Sequence, residues 1–195
     1  NNISKDSVIA TLKWSIYHIV SEHNRLLPTE ELKKNSVLAG DWLYDQKKPF
    51  LVILGTIGNG KTTMAKALCN TIRTYNIKNI NLYRDLGGDI SVQSYDSREL
   101  YDYIVADKNM TDKIIRETTI LMIDDLGTEP TEYQSYGNVV RPIERILTER
   151  EKRGLKTIIT SNLDHQTIRQ KYGDRLSDRL RHSAQVIIYQ GSSFR

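Results

Sequence analysis

Eight consecutive residues constrain this chain more than any others: Gly55-Thr56-Ile57-Gly58-Asn59-Gly60-Lys61-Thr62. They fit G-x-x-x-x-G-K-[ST], a pattern whose glycines let successive backbone N–H groups turn inward around a phosphate. The lysine then reaches the outer phosphates, and the closing hydroxyl ligates Mg²⁺. The flanks suit this chemistry. Residues 50–54 are wholly apolar, as expected of a strand buried on both faces in a parallel sheet. Residues 62–75 place Met64, Ala65, Leu68 and Ile72 on one helical stripe. A helix starting there aims the positive end of its dipole at the bound anion. The expected nucleotide contacts are Gly55, Thr56, Ile57, Gly58, Asn59, Gly60, Lys61, Thr62 and Thr63, with Thr62 on the metal.

A chain of 195 residues allows one domain with a small appendage. Residues 4–26 space Val8, Leu12, Ile16 and Ile19/Val20 for an amphipathic helix, which Pro28 breaks. Thr29 can cap a second helix that turns Leu32, Leu38, Trp42 and Leu43 inward, and Pro49 ends it. Residues 79–83 and 90–95 both read as strands around Gly87-Gly88. Ser97 is expected to cap a helix through Ala106, and Thr111 or Asp112 to start another. Residues 120–123 form a second apolar strand, ending in Asp124-Asp125. A polar loop with Pro130 should lead to a helix from about Gly137 to Arg153, closed by Gly154. Residues 157–160 make a third apolar strand, two short helices flank Gly173, and 186–189 make a last strand. The alternation predicts an α/β parallel sheet flanked by helices over residues 49–195, with 1–48 a small helical N-terminal extension.

Composition excludes several classes. With 8% aromatic and 27% charged residues the chain is neither disordered nor low-complexity. No run approaches the roughly 18 apolar residues of a membrane span, so no membrane partner is expected. Cys69 is the single cysteine, which excludes an internal disulfide framework or a cysteine-built zinc site and fits a reducing cytoplasm. Cys69 itself is expected in the core. His18, His23, His165 and His182 lack the pairing of a metal site. Residues 141–195 carry 12 Lys and Arg against 6 Asp and Glu. That basic third suggests an anionic partner, nucleic acid or a nucleotide on another subunit, with solvated helix faces as an equal alternative.

Three further features carry chemistry. An acidic residue delivered by an apolar strand beside the phosphate loop can enter the Mg²⁺ shell, and Asp124 fits that place. Asp125 can then orient and deprotonate an attacking water. Asn162, ending the third strand, can hydrogen-bond both the γ-phosphate and that water; Ser161-Asn162-Leu163-Asp164 is equally a good turn and helix cap. Arg175 and Arg179 stand four apart on one helix and share a face, with Asp178 three from Arg175. They form surface ion pairs or reach a neighbouring subunit's phosphates as arginine fingers.

Taken together, these segments resemble an AAA+ ATPase. The resemblance rests on a Walker A at 55–62, a Walker B at 120–125, a sensor-1 Asn162 and an Asp178-Arg179-Leu180 box. More narrowly the chain resembles the bacterial DnaC/DnaI helicase loaders and the IstB-type transposition ATPases. The spelling Ile123-Asp124-Asp125-Leu126-Gly127 and the tail Gly191-Ser192-Ser193-Phe194-Arg195 are similar to that group's core. The resemblance implies ATP and Mg²⁺ as cofactors, ATP held between subunits of a homo-oligomer, and Arg179 as the finger acting in trans, with Arg175 a weaker second. It implies single-stranded DNA and a replicative helicase, or a transposase, as partners. Asp125 departs from the Glu common at the base position, and its shorter reach predicts slow hydrolysis. The opening Asn1-Asn2 is expected of a piece of a longer protein. Set against the family's pattern, no lid domain or sensor-2 arginine is expected within the 195 residues. A P-loop kinase of nucleotides or small metabolites is a competing reading, as is a nucleotide-gated adaptor without catalysis.

Overall fold

The computed structural model describes residues 4–22, 29–45, 47–75, 90–107 and 109–190. Helices α1 (Lys5–Glu22) and α2 (Glu30–Asp45) precede β1 (Phe50–Gly55) and α3 (Lys61–Tyr75). Next come β2 (Val92–Asp96), α4 (Ser97–Ala106), α5 (Met110–Glu117) and β3 (Ile120–Asp124). A hairpin of β4 (Tyr133–Ser135) and β5 (Asn138–Val140) leads into α6 (Pro142–Lys152), β6 (Thr157–Ser161), α7 (His165–Ser183) and β7 (Ala184–Tyr189). Five strands form one parallel sheet in the order β2-β3-β6-β1-β7. Every strand therefore ends on the same edge, where ligands bind in open α/β sheets.

Side chains alternate across each strand, so β1 feeds two cores. Leu51 and Ile53 join α1, α2 and α3 through Val8, Leu12, Ile16, Trp42, Met64, Leu68 and Ile72. Phe50 and Val52 face the other layer, with Leu100, Ile114, Ile146, Leu176 and Leu180 from α4 to α7. The two N-terminal helices thus share the core of the phosphate-loop helix. Cys69 lies in that core, 3.8 Å from the Met122 sulfur, and burial pushes its thiol up to about 11.

Several expectations hold in detail. Thr29 Oγ1 accepts from Leu32 N and caps α2. Gly154 (φ 66) ends α6 in a Schellman motif, its N–H on Glu151 O and Leu155 N on Arg150 O. Gly173 (φ 84, ψ 168) splits α7 into two helical segments. Of the two competing strand segments, the second supplies β2; residues 79–83 and Gly87-Gly88 lie outside the described residues, as do His23, Pro28 and the tail 191–195.

Four local readings are corrected. Leu38 is 39% exposed; Asn35, Ser36 and Ala39 take the inward positions instead. Small residues there let α2 approach α1, where a Cβ on Gly40 would lie 2.6 Å from Ile9 Cγ1. The cap of α4 is Asp96, whose carboxylate accepts from Arg98 N and Glu99 N. The short α5 is entered from Asn109, with no side-chain cap bond. Finally, α6 begins at Pro142 rather than near Gly137, because Tyr136 (φ 50) and Gly137 (φ 79) make a two-residue hairpin turn. Both central residues at positive φ match the right-handed twist of the strands, and proline suits the first helical position.

Candidate functional site

The C-terminal edge of the sheet carries a cleft of about 330 Å³ lined by Ile57, Gly58, Gly60, Lys61, Thr62, Thr63, Asp125, Thr128 and Asn162. Its floor is the turn between β1 and α3. Gly58 (φ 83) and Gly60 (φ 96) adopt backbone conformations that a Cβ opposes. At Gly55 the limit is space: a Cβ would lie 2.3 Å from Asn59 Nδ2 and 2.8 Å from Tyr189 O. Asn59 is buried and its Oδ1 accepts from Lys61 Nζ at 3.2 Å. Lys61 Nζ also donates to Thr56 O at 2.6 Å, so its ammonium lies across the loop it would share with a phosphate. Burial lowers the Lys61 pKa, and the carboxylates of Asp125 and Asp124 oppose that shift.

One hydrogen-bonded chain joins the first turn of α3 to polar residues at the ends of β3 and β6. Thr62 Oγ1 donates to Asp124 Oδ1 at 3.1 Å. The same oxygen accepts from Thr160 Oγ1 at 2.5 Å, and Thr160 Oγ1 in turn accepts from Asp125 N at 2.9 Å. Asn162 Nδ2 donates to Asp125 Oδ1 at 3.1 Å. The structure therefore brings together Lys61, Thr62, Asp124, Asp125 and Asn162, over a sequence span of a hundred residues. Asp125 takes the left-handed region (φ 52), which a non-glycine residue adopts at a cost of about 1 kcal/mol or more. Its carboxyl pKa is raised, first by burial and then by repulsion from Asp124, with Lys61 and the Asn162 hydrogen bond acting against. That direction suits a proton acceptor more than an inert surface carboxylate.

Thr62 and Asp124 could hold a hard divalent cation. Among the described residues no group of three or more His, Cys, Asp or Glu gathers for a metal. Mg²⁺ does not need one, because it takes one or two protein ligands and completes its octahedron with phosphate oxygens and waters. The hydroxyl and carboxylate 3.1 Å apart fit that demand.

Two participants escape sequence reasoning. Thr160 bridges both aspartates from the penultimate position of a fully buried strand, and a hydroxyl at that position was its signal. Thr128 lines the cleft and meets Ser97 Oγ at 3.0 Å. Arg175 and Arg179 stand outside the cleft. Arg179 Nη1 donates to Glu151 of α6, a carboxylate that also accepts from Ser183 Oγ. Arg175 is exposed and borders a separate groove with Arg141, Arg145 and Lys152.

A family model described as IstB-like ATP binding protein matches residues 25–195. DnaI is similar over 99% of this chain and 94% of its own, at 22% identity and a TM-score of 0.65. The DnaC helicase loader is similar over 83% of this chain and 92% of its own, at 16% identity and a TM-score of 0.61. AMPPCP-bound DnaA from Aquifex aeolicus matches with a TM-score of 0.62 at 15% identity, over 83% of this chain and 48% of its own. At such identities the likeness is one of fold. No curated protein sequence matches.

Proposed function

This chain belongs to the IstB-like ATP-binding protein family, with the AAA+ fold of the DnaC and DnaI group, and we propose that it hydrolyses Mg²⁺-ATP between subunits to load a replicative helicase on single-stranded DNA. The observation that carries this reading is the hydrogen-bonded chain Thr62–Asp124–Thr160–Asp125–Asn162 facing Lys61 across one cleft. Residues 49–195 are the ATPase core and 1–48 its helical extension. The backbone of 55–63 and the Lys61 ammonium hold the phosphates. Thr62 and Asp124 hold Mg²⁺, which when bound neutralises charge on the β- and γ-phosphates.

Asn162 engages one oxygen of Asp125 and leaves the other for a water. That water attacks the γ-phosphorus in line; the bond to the β-bridging oxygen breaks, ADP leaves, and the water's proton passes to Asp125. Lys61 and Asn162 counter the charge that develops, and Arg179 of an adjacent copy supplies a further guanidinium. The site acts in the cytoplasm; among the described residues no helix is long and apolar enough to cross a membrane. A second reading, an ATPase assisting a transposase, rests on the resemblance to the IstB-type transposition ATPases.

ATP turnover per subunit, measured against protein concentration with and without single-stranded DNA, tests the proposal. A specific rate that climbs with concentration and shifts with DNA supports a shared site. A flat rate indifferent to DNA contradicts it.

A further inference from the structure

Glu129 is a carboxylate that the mechanism above leaves without a task, yet it is only 1% exposed. Its two oxygens serve two different elements. Oε2 accepts from Gly127 N at 2.9 Å, within the loop that follows Asp125. Oε1 accepts from the Tyr172 hydroxyl on α7. The neighbouring Lys171 Nζ doubles this connection, donating to Gly127 O at 2.6 Å and Glu129 O at 2.7 Å. Burial and the adjacent carboxylate keep the Tyr172 phenol protonated, so it stays a donor.

Both ends of this bridge are strategic. On the loop side, Gly127 (φ 110) presses against Leu163, where a Cβ would lie 2.3 Å from Leu163 Cδ1. Leu163 follows Asn162, and Leu126 is tied to β6 by Ser161 Oγ on its carbonyl at 2.6 Å. The loop therefore cannot shift without disturbing Asp125 and Asn162 together. On the helix side, Tyr172 immediately precedes Gly173, whose φ 84 and ψ 168 break α7. Only glycine adopts that conformation readily, so the break is a defined hinge. Beyond it lie Leu176 and Leu180, packed in the core, and Arg179 on Glu151.

A loop that merely needed pinning would be served by neutral side chains, since withdrawing a carboxylate from water costs several kcal/mol. We propose that Glu129, Lys171 and Tyr172 are positioning residues that tie the loop after Asp125 to the hinge of the arginine-bearing helix, making the nucleotide state of one site and the presentation of Arg179 to the next move together. The inference rests on the ATP-site reading above.

Hydrogen exchange on the full chain, with and without Mg²⁺ and the non-hydrolysable analogue AMPPCP, tests it in wild type, Tyr172→Phe and Glu129→Gln. In wild type the analogue should slow exchange in residues 55–63 and also in 174–183. Both variants should keep the first effect and lose the second. Their kcat should fall about tenfold with nucleotide affinity within twofold of wild type. Tyr172→Phe keeps the packed ring, so it decides the matter if Glu129→Gln folds poorly. Wild-type slowing at 55–63 without any at 174–183 overturns the coupling, as does an unchanged response in Tyr172→Phe. Faster exchange throughout the variant, equally with and without the analogue, reduces the bridge to a structural tie. No slowing at 55–63 in wild type defeats the ATP-site reading itself, and the coupling with it.

Discussion

At the N-terminal ends of the strands, Arg150 is fully buried and spends all five N–H groups inside the chain. Its Nε donates to Thr157 Oγ1, Nη1 to Ile114 O and Thr118 O, and Nη2 to Thr119 O and Lys156 O. Lys156, beside it, donates to Lys48 O at 2.8 Å and sits 4.7 Å above the Trp42 ring. At the C-terminal ends the charged groups are held differently. Lys61, Asp124 and Asp125 converge, two carboxylates are adjacent in sequence, and one of them sits on a strained backbone. The first end closes its hydrogen bonds on carbonyls and welds β3, β6, α5 and α6 together. The second keeps like charges close and acceptor oxygens facing a cleft. Stability is concentrated at one edge of the sheet and the proposed chemistry at the other, as expected when a fold tolerates strain only where function needs it.

The sharpest way to break this contrast is Asp125→Asn. It should lower kcat by about 10²- to 10⁴-fold, the usual contribution of a general base, while nucleotide affinity stays within a few-fold. Stability should hold or rise slightly, because burial and Asp124 both oppose the Asp125 charge. Titration with urea alongside the kinetics checks both halves, and a loss above about 1 kcal/mol would move Asp125 into the structural class. Arg150→Met reverses the pattern. It leaves four backbone carbonyls, three of them buried, short of donors and should cost about 3–5 kcal/mol in denaturant unfolding, with nucleotide affinity of the folded fraction unchanged.

Lys156 sharpens the comparison through pH. Burial lowers its pKa to about 8 from 10.5. The folded chain releases this proton near pH 8 while the unfolded chain keeps it to about 10.5. Stability from this residue therefore rises with pH across that window, by about 3 kcal/mol in all, and the penalty is complete below pH 8. Thermal or urea unfolding at pH 7.5 to 10.5 should show the rise, and Lys156→Met should flatten it.

The sequence made the catalytic edge more legible than the structural one. Strands buried on both faces leave contiguous apolar runs, so β1, β3 and β6 could be read directly, and the glycine pattern placed α3. Asp124, Asp125 and Asn162 followed because each ends such a run. Nothing local marks Arg150, since a buried arginine in a helix has the same spelling as a surface one. The hairpin was lost because three-residue strands carry too little alternation to outweigh a helical reading, although Gly137 marks its turn and Pro142 the helix that follows it. Leu38 misled for a different reason: the α1–α2 approach selects small residues such as Gly40 and Ala39 over large apolar ones. Thr160 was hidden by its own strand, where Thr157, Thr160 and Ser161 all read as ordinary strand residues.

The contrast predicts that the catalytic edge is incomplete within one chain, because Arg179 stands apart from the cleft on Glu151. Mixing two inactive variants tests this most directly. Asp125→Asn retains Arg179 but cannot activate water, and Arg179→Ala retains an intact cleft without the guanidinium. ATP turnover of an equimolar mixture should recover to about a quarter of wild type, the share of sites that randomly pair an intact cleft with a neighbour's arginine. No recovery on mixing, or near-normal turnover by Arg179→Ala alone, would contradict the shared site.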